Sequence, residues 1–141
     1  MNKERVLFVC IHNSARSQMA EAFLKQMAPD KFFVESAGIE PGTINPLVIE
    51  VMRETGIDIS QNKTKSLSDF FKQGNRYEYV ISVCDAASSD KCPIFPNIKQ
   101  RLNWIFDDPS CLVGDKEAKL VQLRNIRDQI RQRVQEWVNS F

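Results

Sequence analysis

The stretch Val6-Leu7-Phe8-Val9-Cys10-Ile11-His12-Asn13-Ser14-Ala15-Arg16-Ser17 decides how this chain folds. A short, unbroken apolar run is the mark of a parallel strand buried on both faces, so Arg5 to Cys10 reads as a strand. Small polar residues follow. Met19, Ala20, Phe23, Leu24 and Met27 then recur at helical spacing, which predicts a helix from Ser14 to Met27 that Pro29 ends. A loop between a strand and a helix turns backbone N–H groups inward, and the helix start adds positive potential, so the turn suits a tetrahedral oxyanion. Arg16 brings a planar fork that grips two such oxygens. The same field lowers the pKa of a thiol and makes a nucleophile of Cys10, whereas a small core cysteine is the plainer reading. With no Gly-Lys-Ser/Thr in the loop, nucleotide P-loop chemistry is unsupported.

The pattern repeats outward from there. Phe32 to Ser36 reads as a second strand closed by Gly38, and Asn45-Pro46 as the cap and first turn of a helix that stops at Gly56. A short helix near Ser66 to Phe71, a third strand from Tyr79 to Val83, a mobile-looking segment from Asp85 to Pro96 and a fourth strand near Arg101 to Trp104 follow. Leu123, Ile126, Ile130, Val134, Trp137, Val138 and Phe141 form the stripe of a last helix. The expected fold is α/β: a single domain over residues 1–141, with a four-stranded parallel sheet flanked by helices on both faces. Ligands then bind at the carboxyl ends of the strands, where Cys10 and Cys84 both fall.

Composition narrows the function. Nineteen Lys plus Arg oppose 18 Asp plus Glu, so no basic field favours nucleic acid or an anionic membrane. Only six apolar residues precede His12, too few for a signal-peptide core or a bilayer span, and a cytoplasmic monomer is expected. In that compartment Cys10, Cys84, Cys92 and Cys111 point to catalysis, redox chemistry or metal binding more than to a structural disulfide framework. Zinc is the weaker option, because there is no Cys-x-x-Cys pair and one histidine.

Cys-x5-Arg-Ser on a strand-to-helix loop resembles the phosphate-binding loop of the low-molecular-weight protein tyrosine phosphatases. Within that group, Arg16-Ser17-Gln18-Met19-Ala20-Glu21, Ser36-Ala37-Gly38, Gly56-Ile57-Asp58-Ile59-Ser60, Val83-Cys84-Asp85, Cys92-Pro93 and Phe106-Asp107-Asp108-Pro109 resemble the thioredoxin-coupled arsenate reductases. The match runs in order over nearly the whole chain.

That resemblance implies an oxyanion loop made of Cys10, Ile11, His12, Asn13, Ser14, Ala15 and Arg16, taking arsenate with phosphate or sulfate as competitors. It implies attack by Cys10 on arsenic, a hydrogen bond from Ser17 to the thiolate, and Asp108 as general acid, with its pKa raised and Asp107 as rival. It further implies a relay in which Cys84 attacks Cys10, Cys92 attacks Cys84, and thioredoxin, an external reductant, reduces the final disulfide; no bound cofactor is implied. Cys111 matches no catalytic position.

The chain departs from the pattern in four places. His12 replaces a frequent glycine and either narrows the loop mouth or adds a donor to the anion. Ala15 replaces a dispensable cysteine, and seven residues separate Cys84 from Cys92 where six are usual. In potassium-binding members Asn13, Glu21 and Ser36 would hold the ion together with an aspartate, but here Ser66 stands in the aspartate's place beside Lys65. The site is therefore expected to be weakened, with a lysine ammonium as the cation's substitute. Competing readings are a phosphatase acting on phosphotyrosine or small phosphoesters, a glutaredoxin-coupled arsenate reductase, and a non-catalytic oxyanion-binding or redox-sensing module. Ser110 and Cys111 after Asp108-Pro109, in place of an aromatic pair, speak against the phosphatase.

Overall fold

A computed structural model of the chain describes residues 3–83 and 95–141. Its sheet has four parallel strands, β1 (Glu4–Cys10), β2 (Phe32–Gly38), β3 (Tyr79–Ser82) and β4 (Gln100–Asn103), in the order β2-β1-β3-β4. Val6, Leu7, Phe8 and Val9 are all buried. Since successive side chains of a strand point to opposite faces, β1 is covered on both sides, as its unbroken apolar run requires.

The described residues form four α-helices: α1 (Arg16–Met27), α2 (Pro46–Arg53), α3 (Leu67–Lys72) and α4 (Lys116–Asn139). Helix α1 lies on β1 and β2 and packs against α4, which in turn meets α2. The first helix begins two residues later than its apolar period suggests, because the loop keeps those residues for itself. Asn13 takes a left-handed φ of 54°, and Ala15 has non-helical angles. Asn45 caps α2 by accepting from Leu47 N, as its Asn-Pro start predicts, and Gly56 takes φ 84° just past the helix. The last helix starts seven residues before its first striped leucine, at an Asp115 cap whose side chain accepts from Ala118 N.

The two ends of the sheet have different duties. At the strand starts, Phe32 of β2 and Tyr79 of β3 pack on Trp137 of α4, with ring centres 5.1 and 5.2 Å apart. The carboxyl ends carry the chemistry. Strand β1 lies between β2 and β3, so the chain reverses its winding there and leaves a crevice at Cys10. Gly38 pairs with Cys10, and Val83 N–H donates to the Val9 carbonyl, so β1 and β3 are the neighbours that a Cys10 and Cys84 partnership needs. Cys84, Cys92 and the expected mobile segment from Asp85 lie outside the described residues. No described helix is long and apolar enough to cross a membrane.

Candidate active site

The loop after β1 is shaped by where its carbonyls go. Ile39 N, Glu40 N, Gly42 N and Asn45 N donate to the carbonyls of Cys10, Ile11, His12 and Ser14, at 2.8 to 3.2 Å. The Asn13 carbonyl takes Gln18 Nε2, and that of Ala15 takes Met19 N. In a trans peptide the C=O and the next N–H point oppositely, so carbonyls drawn outward turn N–H groups inward. This is the concave anion nest expected from the strand, loop and helix order. Gly38 makes it possible: a Cβ there would sit 2.7 Å from the Ile11 carbonyl oxygen and 2.8 Å from Asn13 N.

Asn13 is wholly buried and ties the loop to its surroundings. Its Nδ2 donates to Ser17 Oγ at 2.8 Å and to Ser36 Oγ at 2.9 Å. Its Oδ1 accepts from Gln18 Nε2 and from Lys65 N, both at 3.0 Å. Asparagine is the residue other than glycine that best tolerates the left-handed backbone here.

Cys10 is buried at the floor of a cavity of about 100 Å3, whose lining includes His12, Arg16, Asn45, Asp108 and Ser110. Its Sγ accepts from Asn13 N at 3.1 Å and lies 3.1 Å from Ser17 Oγ. Ser17 Oγ also accepts from Asn13 Nδ2, and against a Cys10 thiolate, which has no proton to give, the Ser17 hydroxyl is the donor to the sulfur. Donors converging on Sγ stabilise a thiolate over a thiol.

Arg16 is held by the segment that carries Asp108. Its Nη1 donates to the Phe106 carbonyl at 3.0 Å, and its Nη2 stands 3.7 Å from Asp108 Oδ2. Asp108 caps a 3-10 turn (Pro109–Cys111), with Oδ1 accepting from both Ser110 N and Ser110 Oγ at 2.9 Å. The protein's own groups do not supply the raised pKa expected for Asp108 beside a thiolate and an oxyanion. Partial burial pushes it up, but the two Ser110 bonds and the charges of Arg16 and His12 hold the carboxyl below the usual aspartate value of 3.8. Asp107 is exposed and does not line the cavity, whereas Asp108 does. Cys111 is exposed on the turn beyond.

Behind the loop, the Ser36 hydroxyl donates to the buried Glu21 carboxylate. The other Glu21 partners are cations: Lys25 Nζ at 2.6 Å from Oε2 and Lys65 Nζ at 3.3 Å from Oε1. Two ammonium groups and a hydroxyl thus occupy the oxygens that a metal ion would need. Asn13, Glu21 and Ser36 are brought together, but as a lysine-neutralised chain of hydrogen bonds. Among the described residues no group of three His, Cys, Asp or Glu side chains could hold a metal.

Several supporting residues escaped sequence reading. Asn45 lines the cavity, Gln18 braces Asn13, and the Phe106 carbonyl holds Arg16. Only Gln18 carried a signal, as a buried amide on the apolar face of α1.

Comparison with known proteins agrees with this geometry. The model of the low molecular weight phosphotyrosine protein phosphatase family matches residues 5–141. An arsenate reductase of Bacillus subtilis is 39% identical over 140 residues, covering 99% of both chains, and one of Halalkalibacterium halodurans is 38% identical with the same coverage. A solved arsenate reductase in a phosphate-binding state superposes with a TM-score of 0.81 at 32% identity, covering 97% of this chain and 98% of that one. The thioredoxin-dependent arsenate reductase of Corynebacterium glutamicum gives 0.73 at 33% identity, covering 98% of this chain and 61% of that one. With a buried nucleophile-type cysteine, an anion nest and an aspartate facing them across an oxyanion-sized cavity, the chain belongs to the low molecular weight phosphotyrosine protein phosphatase family, on the branch that holds the arsenate reductases.

Proposed function

We propose that the protein reduces arsenate to arsenite, using Cys10 as nucleophile and thiols as the source of two electrons. The observation that carries this reading is the sulfur of Cys10 under two convergent donors, at the floor of a cavity that fits one tetrahedral oxyanion. Arsenate is favoured over an aryl phosphate by full-length relatives bearing that activity in their names, and by Ser110, not an aromatic ring, at the rim.

The thiolate attacks arsenic, an S–As bond forms and an As–O bond breaks. Arg16 leaves the Phe106 carbonyl to grip the anion with its fork. Asp108 serves as general acid once the bound anion's negative charge has raised its proton affinity, and the oxygen departs as water. Cys84 then attacks Cys10 Sγ; the S–As electron pair passes to arsenic, arsenite leaves, and a Cys10–Cys84 disulfide remains. Cys92 attacks Cys84, and thioredoxin reduces the resulting bridge. The thioredoxin-dependent relative from Corynebacterium glutamicum supports that reductant over glutaredoxin. Lys65, bonded to Glu21, takes the place of a potassium ion beneath the loop; a saturable rise of activity with potassium over sodium would count against this.

The test is arsenate-dependent NADPH consumption with thioredoxin and thioredoxin reductase, followed by mass-spectrometric mapping of the disulfide. Turnover with a Cys84–Cys92 bridge is the expected result, and Cys92→Ala should complete one turnover and stop with Cys10–Cys84 oxidised. No turnover, together with hydrolysis of an aryl phosphate, would make the protein a phosphatase.

A further inference from the structure

The charges around the cavity do not balance for an anion guest. Of the described residues lining it, Arg16 is the one permanent cation. Against it stand Asp108, held ionised by Ser110 and Arg16, and Cys10 whenever it is a thiolate. Among the described residues, one cation faces two anions before a doubly charged oxyanion arrives. The loop N–H groups and the start of α1 supply partial charge only.

His12 is the other described lining residue able to carry a positive charge, and it is the sole histidine of the chain. Its position is set by the backbone. The His12 carbonyl accepts from Gly42 N at 3.0 Å, and Nδ1 lies 2.9 Å from the Glu40 carbonyl oxygen. A carbonyl oxygen can only accept, so Nδ1 keeps its proton in both charge states of the ring. Nε2 is therefore the nitrogen that gains and loses a proton, and protonation breaks no hydrogen bond that holds the ring. The segment after β2 thus anchors the imidazole of a cavity-lining residue through Nδ1.

We propose that His12 is the second cation of the oxyanion pocket, a specificity-determining residue whose imidazolium form tightens the binding of doubly charged tetrahedral anions. The inference rests on the oxyanion-loop reading above. Among the described residues, the titratable and charged groups that share the cavity or the ring's anchor are Cys10 and Arg16 from the loop, Asp108 from the 3-10 turn, and Glu40, an exposed residue of the segment that holds Nδ1. Imidazole is the side chain whose charge ordinarily changes between pH 5 and 8.

Sulfate is the clean probe, because it stays a dianion throughout that window, whereas arsenate and phosphate themselves titrate. The measurement is calorimetric sulfate affinity in the Cys10→Ser, Asp108→Asn protein, which removes the titrations of the thiol and of the carboxyl that a bound anion would raise. Affinity should fall about tenfold, or about 1.4 kcal/mol, between about pH 5 and pH 8. Adding His12→Gln should leave affinity flat at the weak level, and His12→Lys should leave it flat at the tight level. By reciprocity of coupled binding, saturating sulfate should raise the midpoint of the single imidazole NMR signal by about one pH unit. A pH slope that survives in His12→Gln, or an imidazole midpoint indifferent to sulfate, overturns the role of His12 and leaves the oxyanion loop standing. Absence of sulfate binding in every variant at every pH overturns both.

Discussion

Asn13→Ala is the substitution whose outcome the geometry fixes most tightly. Alanine removes the two Nδ2 donors to Ser17 and Ser36 and the Oδ1 acceptor of Gln18 and Lys65 N. Most partners are left with a substitute: the Gln18 amide still donates to the carbonyls of Asn13 and Lys63, and the Ser36 hydroxyl still donates to Glu21. The part-buried Lys65 N–H loses its acceptor, at a cost of about 1–3 kcal/mol. The left-handed backbone, φ 54°, adds about 1–2 kcal/mol for a residue with a Cβ and no polar side chain. The sum is about 2–5 kcal/mol, and at roughly 3 °C per kcal/mol for a chain of this size Tm should fall by about 6–15 °C. Asn13→Gly keeps the hydrogen-bond loss and removes the backbone strain, so it separates the two effects. Thermal unfolding followed by circular dichroism is the assay. If both variants melt within about 2 °C of the parent, Asn13 is a helix-start residue and the loop is held by something else.

Gly38→Ala should abolish sulfate and arsenate binding and lower stability, since its methyl meets three loop backbone atoms at 2.7 to 2.8 Å; unchanged anion affinity would refute the close approach. Burial raises both tyrosines, Tyr77 to about 12, with the Asn75 amide opposing and the Glu35 carboxylate adding to the rise. The unfolded chain therefore loses those protons first, and stability falls from about pH 10 upward. Absorbance of phenolate at alkaline pH should then appear together with unfolding, and half-titration at pH 10 in the native state would contradict this. For Asp108, whose folded pKa is lowered, stability is present above the unfolded value and lost as pH falls through the folded one. Asp108→Asn should therefore differ from the parent at neutral pH and converge with it in acid, as urea midpoints across that range would reveal. Arg16→Lys should weaken oxyanion binding by loss of the two-pronged contact, and an unchanged KM for arsenate would refute this role.

What could be read from the sequence and what could not divide along the range of the interaction. The apolar run into Cys10 announced a doubly covered strand, and Asn45-Pro46 announced a helix start, because both are local. The late start of α1 has a long-range reason: the carbonyls of Cys10, Ile11, His12 and Ser14 are taken by donors from residues 39–45, contacts that periodicity cannot reveal. The start of α4 was hidden differently. Lys116 to Lys119 carry no apolar stripe, and its signal is the Asp115 cap alone. The protonation of Asp108 depends on Ser110, two residues away, and an Asp-Pro-Ser turn is a local signal that could have been used. Gly38 was seen as part of a motif, while its reason, an approach to the loop backbone, lies 25 positions or more from the residues it touches.

The outward ties of the loop carbonyls have an evolutionary reading. The frame that aims the nest is built largely of main-chain bonds, which every amino acid but proline can make, so it is blind to the identity of the side chains mounted on it. Positions 11, 12, 14 and 15 can therefore exchange residues, changing the breadth or charge of the mouth, without loosening the frame. Positions 13 and 38 cannot, one for its amide and one for its missing Cβ. A fold arranged in this way can be retuned from one tetrahedral substrate to another by single substitutions at its rim, each nearly neutral for folding.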